Sequence, residues 1–435
     1  MTGSDQWKSM NLGDLIDIKH GFAFQGEFFC DDNSGDILLT PGNFAIGGGF
    51  KADKFKYYVG PVPEDYVLNE GDLLVTMTDL SKESDTLGFP AIIPKSKGPK
   101  FLHNQRLGKI LIKDITQLDR RFLYYLMCTK EYRQEVISSA TGTTVKHTSP
   151  TRILAYNFLL PPFDEQQRIT NILGSFDDKI DINRQINETL EILSRTIFQS
   201  WFIDFDPVRA KVDGRQPEGM DSATAVLFSS EFEEIDDREI PKGWTIATLP
   251  EIFEINPQRS LGKDQIAPYL DMQNVPTRGH RPIDWVSRAF SSGTKFVNGD
   301  TLLARITPCL ENGKTIFVDF LSDGQVGWGS TEYIVLRPKQ PLPPEFGYLL
   351  ARDDEFRAHA ILNMSGSSGR QRVPSKCFDS YQIVVPTKAI AEKFGEIAKI
   401  LLGMIKQNDE QSRNLITLRD SLSPRLMSGE IPVKT

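Results

Sequence analysis

The stretch ILGSFDDKIDINRQINETLEILSRTIFQ, Ile172 to Gln199, has the spacing of one long helix near the middle of a 435-residue chain. A heptad register laid over it and the residues before it gives a seam of nine positions, seven of them apolar: Ile169, Ile172, Phe176, Lys179, Asn183, Ile186, Leu190, Leu193 and Ile197. Such a seam is typical of a coiled coil. The stretch therefore predicts a helix that packs lengthwise against a second helix.

A second helix with the same pattern follows roughly 225 residues later. Its seam also has seven apolar positions of nine: Phe394, Ile397, Leu401, Met404, Asn408, Gln411, Leu415, Leu418 and Leu422. Asn183 and Asn408 interrupt the two seams at equivalent places, and a polar seam residue fixes register at a cost in stability. We predict one intramolecular antiparallel coiled coil with the two asparagines near each other. Two separate amphipathic helices, each packed on its own domain, remain the alternative.

The rest of the chain repeats as well. WKSMNLGDLIDI (Trp7–Ile18) matches WTIATLPEIFEI (Trp244–Ile255), and GDLLVTMT (Gly71–Thr78) matches GDTLLARIT (Gly299–Thr307). In each copy short strand-like runs, broken by Pro and Gly, precede an amphipathic helix, a proline and the long helix. Two copies indicate a duplicated domain and not a solenoid.

These patterns predict an α+β fold of two similar mixed α/β globular domains, joined by the antiparallel coiled coil in a pseudo-twofold internal repeat. The expected boundaries are a first globular domain at 1–162, the first long helix at 163–205, an exposed and mobile linker at 206–242, the second globular domain at 243–386, and the second long helix with a C-terminal tail at 387–435.

Composition limits the classes of function. The formal net charge is −8, but charge is segregated: no acidic residue lies between Asp85 and Asp114, whereas EFEEIDDRE (Glu231–Glu239) holds six. The mean charge therefore does not exclude nucleic acid. No run of 18 apolar residues and no signal-peptide pattern are present, so we expect a cytoplasmic protein without a membrane partner. The four cysteines never form C-x-x-C and are expected to be reduced structural thiols.

No pattern for catalysis stands out. NFLLPPF (Asn157–Phe163) is similar to an amino-methyltransferase motif, but Leu160 before the prolines cannot accept an amine proton. ENGKT (Glu311–Thr315) resembles the end of a P-loop, but Pro308 replaces its first glycine. The five histidines lack metal-ligand spacing. We therefore predict a chain without catalytic residues, metal or cofactor.

Two loops without acidic residues precede the long helices: TGTTVKHTSPTR (Thr141–Arg152) and GSSGRQRVPSK (Gly366–Lys376). Small residues let a backbone approach closely, hydroxyls and cations suit phosphate oxygens, and Arg and Gln can contact base edges bidentately. An ordinary polar surface loop is the alternative for each. HNQRLGK (His103–Lys109) and ARITPCLENGK (Ala304–Lys314) are weaker candidates. The predicted DNA-contacting residues are Thr143, Thr144, Lys146 and His147; Asn104, Gln105 and Arg106; Arg305, Asn312 and Lys314; and Arg370, Gln371 and Arg372.

The chain resembles the specificity subunits of type I restriction–modification enzymes. The resemblance is carried by LPPFDEQQRI (Leu160–Ile169), SWFIDFDPVRAKVDGRQPEGM (Ser200–Met220) and LSPRLMSGEI (Leu422–Ile431), and it covers nearly the whole chain. The second helix departs from the pattern, because it opens PTKAIAEKF without the Glu-Gln pair of the first.

The resemblance implies a non-catalytic, sequence-specific DNA-binding subunit. Each globular domain would be a target-recognition domain that reads one half of a bipartite asymmetric target, and the helices would set the spacer and dock two methyltransferase subunits. S-adenosylmethionine would then bind those partners, and ATP and magnesium would act in translocase–nuclease subunits. Two other hypotheses remain at this point: a stand-alone DNA methyltransferase or nuclease with a cryptic site, and a coiled-coil scaffold protein.

Overall fold

In the computed structural model, two compact units make up the chain: unit 1 is Met1–Ile180 with Arg413–Thr435, and unit 2 is Asp181–Ser412. The structure describes residues 7–31, 34–52, 54–79, 81, 84–96, 98–142, 145–367 and 369–433. Two helices of 40 residues each, α5 (Phe163–Phe202) and α11 (Lys388–Met427), contribute one part to each unit.

Unit 1 combines short strands with small helices. Its further helices are α1 (Leu12–Leu15), α2 (Arg120–Cys128), α3 (Lys130–Ser138) and α4 (Pro150–Leu154). Its strands are β1 (Lys8–Asn11), β2 (Ile16–His20), β3 (Phe29–Cys30), β4 (Asp36–Leu38), β5 (Lys56–Tyr58), β6 (Val67–Leu68), β7 (Leu73–Thr76), β8 (Thr78–Asp79), β9 (Pro90–Ile92), β10 (Phe101–Leu102), β11 (Leu107–Ile112), β12 (Lys146–His147) and β13 (Asn157–Leu160). They form a four-stranded antiparallel sheet in the order β2-β11-β7-β9, a five-stranded sheet in the order β3-β5-β4-β10-β6, and the pairs β1-β13 and β12-β8.

Unit 2 repeats this plan. Its further helices are α6 (Asp206–Val212), α7 (Ser222–Ala225), α8 (Leu249–Ile252), α9 (Pro344–Arg352) and α10 (Asp354–Leu362). Its strands are β14 (Phe232–Ile235), β15 (Arg238–Pro241), β16 (Thr245–Thr248), β17 (Phe253–Ile255), β18 (Ile266–Leu270), β19 (Val286–Ala289), β20 (Thr294–Phe296), β21 (Thr301–Ala304), β22 (Thr315–Phe317), β23 (Gly327–Gly329), β24 (Tyr333–Pro338) and β25 (Gln382–Val385). The antiparallel sheet β17-β24-β21-β22 corresponds to β2-β11-β7-β9, and the pair β16-β25 corresponds to β1-β13. The duplicated α+β fold inferred from the sequence is confirmed.

The two long helices pair antiparallel, as predicted. Within unit 1, Arg419 Nη1 of α11 donates to Asp177 Oδ1 of α5 at 2.6 Å. Within unit 2, Asn183 Nδ2 donates to the Asn408 carbonyl at 3.3 Å, and the rings of Phe202 and Phe394 lie 4.8 Å apart. Residue numbers rise along one helix as they fall along the other, which is the antiparallel direction.

The predicted seam was wrong at alternate positions. Ile186 and Leu193 on α5 are 38% and 44% exposed, whereas Ser194 is 1% exposed and Leu190 is buried. Met404 and Leu418 on α11 are likewise exposed. The buried face of α5 steps from 183 to 187, 190, 194 and 198, because this part of the helix packs against the domain core as well as against α11. A heptad register takes account of packing against the partner helix but not of packing against the domain core.

The linker was expected to be exposed, and this expectation was also wrong. Residues 206–242 form α6, α7 and the hairpin β14-β15, and Val208 and Phe228 are buried in the core of unit 2. The Lys211 ammonium donates to the carbonyls of Ala225 and Phe228, which closes this segment on itself. The neighbouring SWFIDF stretch places Trp201, Phe202 and Phe205 in an aromatic cluster with Phe198, Phe228, Trp244, Phe346 and Phe394.

The Glu-Gln pair at the start of α5 joins this helix to its domain. Glu165 Oε2 accepts from the Trp7 indole at 3.1 Å. The buried Gln166 side chain accepts from the Asp119 amide and donates to the carbonyls of Gln117 and Pro161. The second helix lacks this pair, and its first turns are instead held by the buried apolar side chains of Ile390, Ala391 and Phe394.

The contacts of Asn183 allow a test of the hypothesis that a polar seam residue fixes the register of the two long helices. The Asn183 amide nitrogen also donates to Gln411 Oε1 at 2.9 Å and to Ser412 Oγ at 3.1 Å, but its Oδ1 is buried without a partner among the described residues. Asn183→Leu should therefore stabilise the chain by about 1 kcal/mol, because it removes a buried unsatisfied acceptor while Ser412 keeps its bond to the Asn408 carbonyl. Urea unfolding would measure this gain.

The same substitution should loosen the pairing of the helices, since no polar seam contact at 183 would then select one register. Cysteines at 187 and 408, in a background with the native cysteines replaced by serine, would crosslink in one register before the change. After it, crosslinking should spread to pairs one turn away. A loss of stability, or an unchanged crosslinking pattern, would contradict the register hypothesis.

No helix in the described part of the chain is both long enough and apolar enough to cross a membrane.

Candidate nucleic-acid interface

In unit 1, three segments meet where β7 leaves the four-stranded sheet. Residues 77–79 continue from β7, and the Met77 amide donates to the Arg106 carbonyl on one side. On the other side the Thr148 amide donates to the Met77 carbonyl, and β12 pairs with β8 so that His147 lies opposite Thr78. The sequence candidates HNQR and VKHT, about 40 residues apart in the chain, are thus brought together around 77–79.

A glycine makes this approach possible. A Cβ atom at Gly21, just after β2, would collide with the carbonyl oxygen of Asn104. The Phe22 amide donates to the His103 carbonyl and the Gln105 amide to the Phe22 carbonyl, which locks the 103–106 loop onto the sheet end. Residues 104–106 are thereby held on ordered backbone.

Several side chains of this first site form no hydrogen bond or ion pair within the described part of the chain. Gln105, Arg106 and His147 are exposed, and Asn104 and Lys146 are half-buried. His147 Nδ1 lies 3.1 Å from Thr78 Oγ1, and Asn104 Oδ1 accepts from the Arg106 amide. Among the described residues, none forms a hydrogen bond or ion pair with the Gln105, Arg106 or Lys146 side chain. Thr143 and Thr144 lie outside the described residues.

Unit 2 builds the same arrangement from different side chains. After β21 the Arg305 amide donates to the Glu332 carbonyl, and the Val373 amide donates to the Arg305 carbonyl. Ile306 pairs with Arg372, and the Thr307 amide donates to the Gln371 carbonyl. The bonds of Arg305 to Glu332 and of Val373 to Arg305 match the bonds of Met77 to Arg106 and of Thr148 to Met77 in unit 1.

This correspondence defines equivalent positions in the two sites. Arg305 of unit 2 is equivalent to Met77 of unit 1. In the same way Glu332 is equivalent to Arg106, and Arg372 is equivalent to His147. The bridge Ser365–Arg372 also repeats the bridge Thr141–His147. The two sites therefore share a backbone plan and differ in the chemistry of their side chains.

The candidates of unit 2 fall into three groups. Arg370 is exposed, Gln371 is half-buried, and neither side chain has a hydrogen-bond partner among the described residues. Arg372 is held by Glu332: its Nε lies 2.9 and 3.0 Å from the two carboxylate oxygens and its Nη2 lies 2.7 Å from Oε1. This hydrogen bonding and charge raise the pKa of the Arg372 guanidinium above its ordinary value.

The third group lies on the segment after β21. Arg305 is half-buried, and its Nε is without a partner in the described part of the chain. Asn312 is exposed on the turn between β21 and β22. The Lys314 ammonium donates to the Met272 carbonyl at 2.6 Å, so this cation is already used within the fold.

Glu332 is not among the residues predicted from the sequence. The residue lies 40 positions before Arg372 in the chain, and no local pattern links the two. Its signal is topological: it precedes β24, the strand paired with β21, just as Arg106 precedes β11, the strand paired with β7.

Chemically, both sites present hydrogen-bond donors and cations on exposed loops. These groups suit base edges and phosphate oxygens. Among the residues that the structure describes, no group of three or more His, Cys, Asp or Glu side chains could hold a metal ion.

Comparison with known proteins shows which sequences and structures this chain is similar to. Residues 4–192 match the family model of the type I restriction modification DNA specificity domain. The chain is 25% identical over 364 residues to the type I restriction enzyme HindI specificity subunit of Haemophilus influenzae, covering 71% of this chain and 77% of that protein. It is 24% identical over 357 residues to the MjaIX specificity subunit of Methanocaldococcus jannaschii, covering 80% of this chain and 76% of that protein.

The fold agrees with these matches. The crystal structure of the type I restriction–modification S subunit of M. genitalium aligns over the full length of both chains with a TM-score of 0.53 and 16% sequence identity. Over most of its length the chain is therefore similar to specificity subunits of type I restriction–modification enzymes, and residues 4–192 match the family model of their DNA specificity domain.

Proposed function

We propose that this chain selects the DNA target of a type I restriction–modification complex, with each unit reading one half of a bipartite asymmetric sequence. The observation that carries the proposal is the repeated three-segment site, built on one backbone plan with different side chains. A shared backbone plan would dock both units on DNA in the same manner. Different side chains, such as His147 against Arg372, would select different bases and make the target asymmetric.

The long helices support a second role in assembly. Ile182 and Ile186 lie one turn apart on α5 and are exposed, as are Ile400 and Met404 on α11. Apolar side chains repeated along an exposed helix face favour a protein partner. We assign this face to the methyltransferase subunits, two per chain because the chain holds two copies of the domain. S-adenosylmethionine would bind those subunits, and ATP and magnesium would serve translocase–nuclease subunits, so this chain would bring specificity and no cofactor of its own.

Mapping methylated adenines tests the proposal. In cells that carry this chain and its methyltransferase subunits, methylation should fall within one motif of two specified parts separated by unspecified base pairs. Arg106→Ala should relax one position in one part and Arg370→Ala one position in the other, each losing about 1–3 kcal/mol of discrimination.

Lys242→Ala serves as the control. Lys242 is an exposed cation that is paired with Glu231 beside the hairpin β14-β15, and it is not one of the residues of the three-segment site. Its removal should leave the motif unchanged. A continuous motif, or two arginine variants that change the same part, would overturn the assignment of one half-site to each unit.

A further inference from the structure

The site of unit 2 contains a carboxylate where a DNA-binding surface would be expected to avoid one. Glu332 has 22% of its side chain exposed and faces Arg372, of which 46% is exposed. An exposed ion pair of this kind adds little to the stability of a fold. The pair therefore calls for a different explanation.

The backbone of the site does not require the pair. In unit 1 the same hydrogen bonds connect residues 77, 106 and 148, although Arg106 stands at the position of Glu332 and His147 at that of Arg372. The carboxylate is thus particular to one site and is not a feature that the fold needs.

The contacts with Glu332 fix the orientation of the Arg372 guanidinium but leave hydrogen-bond donors of this group available for a ligand. Glu332 contacts Nε and Nη2 along one edge of the Arg372 side chain. Nη1 has no hydrogen-bond partner among the described residues, and Nη2 keeps a second hydrogen. These two nitrogens form the end of the fork that donates bidentately to O6 and N7 of guanine.

The charge of the pair also disfavours a phosphate contact. A carboxylate beside the guanidinium cancels most of its attraction for an anion and repels the DNA backbone. Base edges are neutral, so donor geometry and not net charge decides their recognition.

We propose that Glu332 is a positioning residue, which orients Arg372 to read a guanine in the half-site contacted by unit 2. The proposal rests on the proposed function, and it adds a specificity determinant and the base that it selects. Glu332 acts through Arg372 and is not itself expected to touch the guanine.

The test is selection from a randomised duplex library by the chain assembled with its methyltransferase subunits. Arg372→Ala should lose about tenfold or more of the preference for guanine at one base pair, which is the range of a bidentate contact. Glu332→Gln should lose about fivefold at the same base pair. Its affinity for random DNA should stay constant or rise, and the salt dependence should steepen by up to about one unit, because a negative charge leaves the interface. A merely structural role would lower affinity for every sequence.

Two further variants show whether Glu332 acts through Arg372. Glu332→Gln combined with Arg372→Ala should select the same sequences as Arg372→Ala alone. Glu231→Gln, which removes an ion pair of the hairpin β14-β15, should select the wild-type sequences.

The outcomes distinguish a failure of the proposed function from a failure of the role assigned to Glu332. If the wild-type complex selects no two-part sequence, the proposed function fails and this inference fails with it. If the wild type selects such a sequence but Glu332→Gln leaves every position unchanged, or weakens all sequences equally, only the role of Glu332 is overturned. The same holds if the position that responds to Arg372→Ala is not a guanine.

Discussion

Phe394→Ala should lower the free energy of unfolding of the chain by about 3–5 kcal/mol, the range for deletion of a buried ring. The Phe394 ring is buried and lies 4.8 Å from Phe202, 6.0 Å from Trp201 and 6.1 Å from Phe198. These rings belong to α5, so the substitution leaves a cavity between the two long helices inside unit 2. Urea unfolding followed by tryptophan fluorescence would report it, since Trp201 lies in the same cluster.

Met404→Ala is the matched control on the same helix. Met404 lies about three turns further along α11 and is exposed, so its removal should change the free energy of unfolding by no more than about 0.5 kcal/mol. Equal effects of the two substitutions would mean that α11 is not held in unit 2 by the aromatic cluster.

The same two residues show what the sequence could and could not predict. Both were assigned to the apolar seam, but only Phe394 is buried. Helical periodicity reveals that a helix is amphipathic, and the paired arrangement followed from it. It cannot separate the surface turned towards the partner helix from that turned towards the domain, because both are apolar and lie side by side on one helix. Ser194 is buried and Leu193 exposed for this reason.

The candidate sites show a similar limit. The loops around Lys146 and Arg370 were predicted from composition and from their equal place before each long helix. Their neighbours 77–79 and Glu332 were not predicted, since strand pairing brings them there across 40 to 70 residues of chain. Composition also cannot show whether a charged side chain is already used within the fold: Lys314 was a candidate for DNA contact, but its ammonium donates to the Met272 carbonyl. The pairing of strands determines which charged side chains are used within the fold and which remain available for contact with DNA.

Inserting four residues into both long helices, after Asn183 and after Asn408, should lengthen the unspecified spacer of the DNA target by one or two base pairs. Four helical residues add roughly 6 Å at 1.5 Å per residue, and one base-pair step is about 3.4 Å. The insertions lie opposite each other, because Asn183 contacts Asn408, Gln411 and Ser412. Each helix of 40 residues is roughly 60 Å long, which exceeds the ~34 Å of one DNA turn. The helices are therefore long enough to act as the ruler between half-sites.

Methylation mapping would measure the change, with the specified bases of both parts expected to stay as they are, since no residue of either three-segment site is altered. The original sites should lose methylation altogether. The control is the same four residues inserted between Asp236 and Asp237, at the turn of the hairpin β14-β15, where neither long helix is lengthened. New specified bases with an unchanged spacer would show that the helices do not measure the distance, and that contacts within the units determine both features of the target.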